Sequence, residues 1–135
     1  MRELKPGQAV VTVCITCQAA SGESAEERAR AGAALAEATS RAADGASDVV
    51  VQRVRCLANC SRGPSAAIRC ESSWTYVFGH LSPQTDGAAL IAGARLLTQS
   101  TDGTMPWKGR PECLKRGLIA RVPPQAFDGL EPDAH

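Results

Sequence analysis

Two close pairs of cysteines are the residues of this sequence best suited to chemistry. Two residues separate Cys14 from Cys17, and three separate Cys56 from Cys60. Four thiolates can hold a [2Fe–2S] cluster, a single iron or a zinc ion, because soft sulfur ligands match these metals. We therefore predict a metal centre, with all four cysteines as its ligands, and no catalytic residue elsewhere.

The elements around the two pairs predict that they meet. A β-branched run at residues 9–13 leads directly into Cys14, and a second predicted strand at 48–54 leads into Cys56. A helical pattern at 25–43 lies between them. Strand, helix and strand in this order favour a parallel βαβ unit with a right-handed crossover. Because both strands then end at one edge of the sheet, the two cysteine pairs are expected to lie together.

The next segments predict the rest of the fold. Residues 65–70 and 74–78 are typical of two strands in an antiparallel hairpin, with Trp74, Tyr76 and Phe78 alternating onto one face. A second helix follows, to about residue 99, with Leu90 and Leu97 on its inner stripe. The order βαβ–ββα predicts an α/β, thioredoxin-like fold with a four-stranded mixed sheet.

Residues 101–124 predict a C-terminal strap packed over this sheet. Large apolar side chains there favour burial, namely Trp107, Leu114, Leu118, Ile119 and Val122. Trp107, Arg110 and Arg121 have two interpretations: a docking face for a partner, or a core cap with arginines anchoring the strap. We expect one domain over residues 1–124 and a flexible tail at 125–135.

Composition narrows the functional class. The 135-residue chain carries a net charge of +1, with both signs intermixed. This argues against binding to nucleic acid or to a membrane surface, which needs a concentrated basic patch. Neither a signal peptide nor a membrane span is recognisable, so a cytoplasmic location is expected. Cysteines there are normally reduced, which favours metal binding or redox chemistry over structural disulfides.

His80 and His135 have no motif and are interpreted as structural or incidental.

The second cysteine pair carries a resemblance to a known group. Cys56-Leu57-Ala58-Asn59-Cys60, followed by Gly63-Pro64 and a strand, resembles the corresponding segment of thioredoxin-like [2Fe–2S] ferredoxins. The resemblance implies their fold and a cluster held by Cys14, Cys17, Cys56 and Cys60. The first pair departs from that pattern, since those ferredoxins space it more widely. Cys70 and Cys113 are interpreted as buried or free thiols, and each is an alternative to Cys17 as fourth ligand.

A wider set of motifs resembles a bacterial family described as predicted metal-binding proteins of unknown function. The motifs are residues 13–17, 74–79, 100–103, Arg110-Pro111 and 121–123. Many members carry a further cysteine just after the second pair, where this sequence has Ser65. The resemblance implies metal binding and an association with cobalamin biosynthesis and cobalt handling.

Three functions fit these observations. The first is a ferredoxin-like electron carrier that passes one electron at a time to a partner protein. The second is a zinc- or cobalt-binding module, or a metallochaperone with a metal-transfer partner. The third is a dithiol oxidoreductase that uses Cys14-Ile15-Thr16-Cys17, with Pro64 as an opposing cis-proline. The oligomeric state stays open between a monomer and a homodimer.

Overall fold

A computed structural model describes residues 7–16, 24–58 and 63–124. This part of the chain contains five strands and four helices. They follow in the order β1 (Ala9–Cys14), α1 (Ala25–Ala29), α2 (Ala31–Ala42), β2 (Val49–Val54), β3 (Ala66–Cys70), β4 (Thr75–Phe78), α3 (Gly87–Thr98), α4 (Glu112–Arg116) and β5 (Leu118–Val122). The predicted flexible tail lies outside the described residues.

The strands form one mixed sheet in the order β2-β1-β3-β4-β5. β1 and β2 are parallel, as the predicted βαβ unit requires, whereas β3, β4 and β5 each pair antiparallel with the strand before them in the sheet. The mixed α/β prediction is confirmed. The sheet has five strands and not the predicted four, because the end of the predicted strap supplies β5.

The main core lies between the helices α2 and α3 and one face of the sheet. Val11 pairs with Ile68, which pairs with Tyr76, so these three side chains form a continuous row across the sheet. All three are at most 2% exposed. Leu35 of α2 and Leu90 of α3 pack in the same cluster, together with Phe78 and Leu97. The predicted alternation of the β4 aromatics and the inner stripe of α3 are confirmed.

The first helical pattern forms two helices, because the predicted helix is interrupted at Arg30. The sequence pattern also favours a buried face of small and apolar residues, namely Ala29, Ala33, Leu35 and Ala36; of these, Leu35 and Ala36 are buried, but Ala29 and Ala33 are exposed. The interruption changes the phase of the helix, so that Ala31 and Gly32 face inward in their place. At Gly87 of α3, the absence of a Cβ atom allows the α2 backbone at Ala38 to approach closely.

The predicted strap is an ordered segment that contains α4 and β5. β5 pairs with β4 and places Arg121 beside Tyr76. Leu114 is fully buried as predicted, but Trp107 is 61% exposed and Val122 is 51% exposed. Their predicted burial is wrong, because Val122 lies on an edge strand and the exposed Trp107 ring contacts the cationic groups of Arg110 and Lys115.

Arg110 anchors the segment before α4. Arg110 is 8% exposed, and its guanidinium donates hydrogen bonds to the carbonyl oxygens of Met105 and Pro106. Burial lowers the pKa of Arg110, although the group stays charged in the physiological range. The interpretation of Arg110 as an anchor through carbonyls is therefore confirmed.

Among the described helices, none is long and apolar enough to cross a membrane.

Candidate metal centre

The ends of β1 and β2 lie side by side at one edge of the sheet. Cys14, the last residue of β1, is paired with Val54, the last residue of β2. The backbone N–H of Ile15 then donates to the carbonyl oxygen of Val54 at 2.9 Å. Because Cys56 follows Val54 by two residues, Cys14 and Cys56 are neighbours at this edge. The predicted meeting of the two segments is confirmed for the cysteines that the structure describes.

The Cys14 side chain is fully buried at this edge. Its sulfur lies 3.6 Å from the carbonyl oxygen of Arg55, to which the thiol donates, and 3.7 Å from the hydroxyl of Thr16. Thr16 also donates a hydrogen bond to the Arg55 carbonyl. Thr16 therefore orients the sulfur and links the two cysteine segments. Sequence reasoning missed this role, because a threonine between two cysteines carries no recognised signal.

The Cys56 side chain is exposed, in contrast to that of Cys14. Its sulfur accepts a hydrogen bond from the backbone N–H of Ala58 at 3.2 Å. Such donors stabilise negative charge on sulfur, whether in a thiolate or in a metal-bound ligand. Ala58 reaches this position with a φ of 61°, in the left-handed region. The backbone amide of Ala58 is therefore a hydrogen-bond donor to the Cys56 sulfur.

The entry to β3 closes the protein side of the site. The N–H of Cys14 donates to the Ser65 carbonyl oxygen at 3.1 Å, and the N–H of Leu81 donates to that of Pro64 at 3.1 Å. Pro64 and Ser65 are both buried. The peptide bond between Gly63 and Pro64 is cis, as the sequence analysis proposed. Cys14 is therefore held from both neighbouring strands.

Cys17 and Cys60 lie outside the described residues, so their ligand roles stay predictions. Within residues 7–16, 24–58 and 63–124, no group of three or more histidine, cysteine or acidic side chains is arranged to hold a metal ion. The described half of the proposed set nevertheless has features that suit a thiolate site. It combines a buried sulfur, an exposed sulfur with an amide donor, and a shared strand register.

The register separates Cys70 from the site. Cys70 pairs with Ala9 at the start of β1. Cys14 lies five positions further along the extended strand than Ala9, a distance of about 17 Å. Cys70 therefore lies at the opposite edge of the sheet and does not fit the role of fourth ligand.

Cys113 lies in α4, which contacts β5. β5 is at the opposite end of the strand order from β2. It lines a cavity of about 290 Å³ together with His80 and Asp86. Burial, with a further contribution from Asp86, raises the pKa of Cys113 to about 12. Three strand spacings separate β5 from β1, which is roughly 14 Å. Cys113 is therefore a protonated thiol in a separate place, and Cys17 stays the proposed partner of Cys14.

The fold is similar to that of thioredoxin-like ferredoxins. A thioredoxin-like [2Fe–2S] ferredoxin from Aquifex aeolicus has a TM-score of 0.53 and 18% identity, over 89% of this chain and 98% of that one. A crystal structure of a wild-type thioredoxin-like [2Fe–2S] ferredoxin from the same organism gives a TM-score of 0.53 at 15% identity, over 84% of this chain and 97% of that one. At these identities, the likeness shows the fold alone.

The sequence itself identifies the family. Residues 11–124 match the family described as protein of unknown function (DUF1636), and the chain belongs to that family. Comparison with curated proteins gives no match. The fold and the family together define a thioredoxin-like member of DUF1636.

Proposed function

We propose that the protein is an iron–sulfur electron carrier that holds a [2Fe–2S] cluster on Cys14, Cys17, Cys56 and Cys60. The observation that supports this proposal is the position of Cys14 beside the Cys56 segment, at one edge of a ferredoxin-like sheet. The fold shared with two solved [2Fe–2S] ferredoxins favours this cluster over other thiolate-bound metals. When bound, such a cluster supplies a one-electron redox centre.

The described residues have distinct tasks in this proposal. Cys14 supplies a sulfur shielded from water, which limits hydrolysis and loss of metal on that side. Cys56 supplies a sulfur at the surface, where a partner can approach. The Ala58 N–H donates to this surface sulfur, and such hydrogen bonds raise the reduction potential of a thiolate-bound centre. In this proposal Cys14 is the ligand protected from solvent, and Cys56 is the ligand through which electrons reach the partner.

The burial of Cys14 argues against a dithiol oxidoreductase. In that chemistry a thiolate attacks a disulfide of another molecule, so the attacking sulfur must be accessible. Cys14 is 0% exposed, and its thiol donates to a backbone carbonyl. This environment suits a sulfur held in place better than a free nucleophile.

Spectroscopy and metal analysis of protein purified without air test the proposal. We expect visible absorption bands, a paramagnetic signal after reduction, and iron and inorganic sulfide in equal amounts. Cys56→Ser is expected to lose or strongly perturb these signals. Cys70→Ser is the matched control, because Cys70 lies at the opposite edge of the sheet.

Two outcomes would contradict the electron carrier. A colourless protein that takes up no iron after anaerobic reconstitution would exclude the cluster. Tight binding of zinc or cobalt to that same protein would support the metal-binding module in its place. Zinc found after aerobic expression alone does not decide the matter, since zinc readily occupies thiolate sites.

We also propose that the electrons serve cobalt or cobalamin metabolism. This part rests on the sequence motifs described above and not on the fold. Chemically reduced protein is expected to reduce a cobalamin when the two are mixed without air, with one electron passing from protein to cobalt. An unchanged cobalamin spectrum, measured with protein that carries the cluster, would contradict the role in cobalamin metabolism. It would not contradict the proposed electron carrier.

A further inference from the structure

Trp107 is the most exposed large hydrophobic side chain of the described residues, at 61%. Its ring is not isolated at the surface. The Nζ atom of Lys115 lies 5.0 Å from the ring centroid, and the guanidinium carbon of Arg110 lies 5.2 Å from it. Lys108, the next residue in the chain, is also exposed. We call Trp107, Lys108 and Lys115 the basic indole surface.

The basic indole surface is built on a rigid support. Arg110 is buried, donates to the carbonyl oxygens of Met105 and Pro106, and lies 5.6 Å above the ring of Tyr76. The N–H of Met105 also donates to the Tyr76 hydroxyl at 2.8 Å. These contacts fix the backbone on both sides of Trp107. A side chain that is already positioned loses less conformational entropy when a partner binds.

The charge near this surface is strongly positive. Residues 101–124 contain five basic and two acidic side chains. Asp102 is engaged by Ser100 and Thr104 within its own turn, which holds its pKa at about 2. Glu112 lies 3.9 Å from Arg116. Over the described residues, no carboxylate forms an ion pair with Lys108 or Lys115. The two lysines therefore present positive charge that nothing in this part of the chain neutralises.

The chain leads from this surface directly into the strand row beside the candidate metal centre. Leu118, three residues after Lys115, pairs with Phe78, which pairs with Ala66, and Ala66 pairs with Val13 beside Cys14. These three strand spacings amount to roughly 14 Å. A standard interface covers about 800 Å² on each partner, a patch roughly 30 Å across. One partner can therefore cover the basic indole surface and reach the cysteine edge together.

We propose that the basic indole surface docks the acidic surface of a partner protein. The inference rests on the proposed function, since the partner would be the protein that the electron carrier serves. An exposed tryptophan held among cations matches the anchors that dominate binding energy in interfaces, and unpaired lysines complement acidic groups. Nucleic acid fits less well, because it requires a long basic track and this chain carries a net charge of +1.

Fluorescence anisotropy with three labelled probes tests this docking surface. The probes are an acidic peptide that mixes glutamate with leucine, the same peptide with lysine in place of glutamate, and an oligothymidylate. The full-length protein is expected to bind the acidic peptide, and more weakly as salt rises. Trp107→Ala and Lys115→Glu are each expected to weaken binding by about tenfold. Trp107→Phe should retain most of the affinity.

Arg41→Glu is the matched charge-reversal control, because Arg41 is exposed at the end of α2, away from this surface. Equal weakening by Arg41→Glu, unchanged binding in Trp107→Ala, or equal binding of the lysine peptide would overturn the inference. Tighter binding of the oligothymidylate than of the acidic peptide would replace it with nucleic-acid binding. Melting temperatures confirm that each variant is folded.

Cluster absorbance of the same samples separates the two proposals. A protein that carries the cluster but does not bind the acidic peptide contradicts the docking surface and leaves the electron carrier intact. A protein that binds the peptide through Trp107 and Lys115 but assembles no cluster supports the docking surface and contradicts the electron carrier.

Discussion

The backbone N–H of Met105 donates a hydrogen bond to the hydroxyl of Tyr76 at 2.8 Å, across 29 residues of sequence. Both residues are buried, at 3% and 2% exposure. This bond ties the segment that carries Trp107 to the centre of β4. A buried backbone donor needs such an acceptor, because its loss costs the full desolvation of the N–H group.

Tyr76→Phe is therefore expected to lower the free energy of unfolding by about 1–2 kcal/mol, since it leaves the Met105 N–H unsatisfied. Urea denaturation followed by circular dichroism measures the change. Thr98→Val is the control, because the Thr98 hydroxyl donates to a carbonyl at the exposed end of α3. An equal loss of unfolding free energy in the two variants would show that the buried hydrogen bond stabilises the fold no more than the exposed one.

Substitutions at Ala58 are expected to change stability in opposite directions. Its φ of 61° is strained for a residue with a Cβ atom, and more so for a β-branched one. Ala58→Gly should raise the free energy of unfolding by about 0.5 kcal/mol, because relief of strain outweighs the added chain entropy. Ala58→Val should lower it by about 1 kcal/mol or more. Thermal melts of both variants decide the point, and a shift in the same direction for both would contradict the strain.

Gly87→Ala is expected to destabilise the packing of α2 against α3. A Cβ atom at this position would lie 2.8 Å from the backbone carbonyl carbon of Ala38 and 2.8 Å from the nitrogen of Thr39. Because backbone atoms cannot rotate away, we expect a loss of about 1–3 kcal/mol, measured by chemical denaturation. The direction of the change in stability is informative, since alanine in place of glycine normally stabilises a helix. An unchanged or higher stability would mean that the two helices separate easily.

Stability is expected to fall at alkaline pH because of the buried thiols. Burial, followed in importance by Asp86, raises the pKa of Cys113 from 9.0 to about 12, and burial raises that of Cys70. Between these pH values the unfolded chain releases thiol protons that the folded chain keeps, so unfolding becomes more favourable as pH rises. The melting temperature should decline between pH 9 and 12, and less steeply in Cys113→Ser. A parallel decline in this variant would assign the effect to other groups.

The meeting of the cysteine segments was predictable because chain topology determines it. A βαβ unit brings the ends of its two strands to one edge, whatever the details of the crossover. The exclusion of Cys70 from the candidate metal centre was also predictable. β3 runs antiparallel to β1, so its last residue lies at the other edge of the sheet. The interaction of Thr16 with the Arg55 carbonyl was not predictable, because it depends on side-chain geometry.

β5 and Trp107 show where hydrophobicity alone misleads. Leu118 to Val122 lie on an edge strand that is only half covered, so their pattern lacks the strict alternation of an inner strand. Trp107 was expected in the core because of its size, but its exposed ring contacts the cationic groups of Arg110 and Lys115. Cation–π contacts of this kind leave no periodic signal in a sequence.

β5 also protects the chain from self-association. The segment Trp74-Thr75-Tyr76-Val77-Phe78 is uncharged, lacks proline and favours extended structure, which is the composition of strands that stack into fibrils. β5 covers its open hydrogen-bonding edge and presents Arg121 to solvent. Pro123 and Pro124 follow and have no N–H with which to extend the ladder. A chain cut before Leu118 would expose the β4 edge, so β5 lowers the tendency of this chain to aggregate.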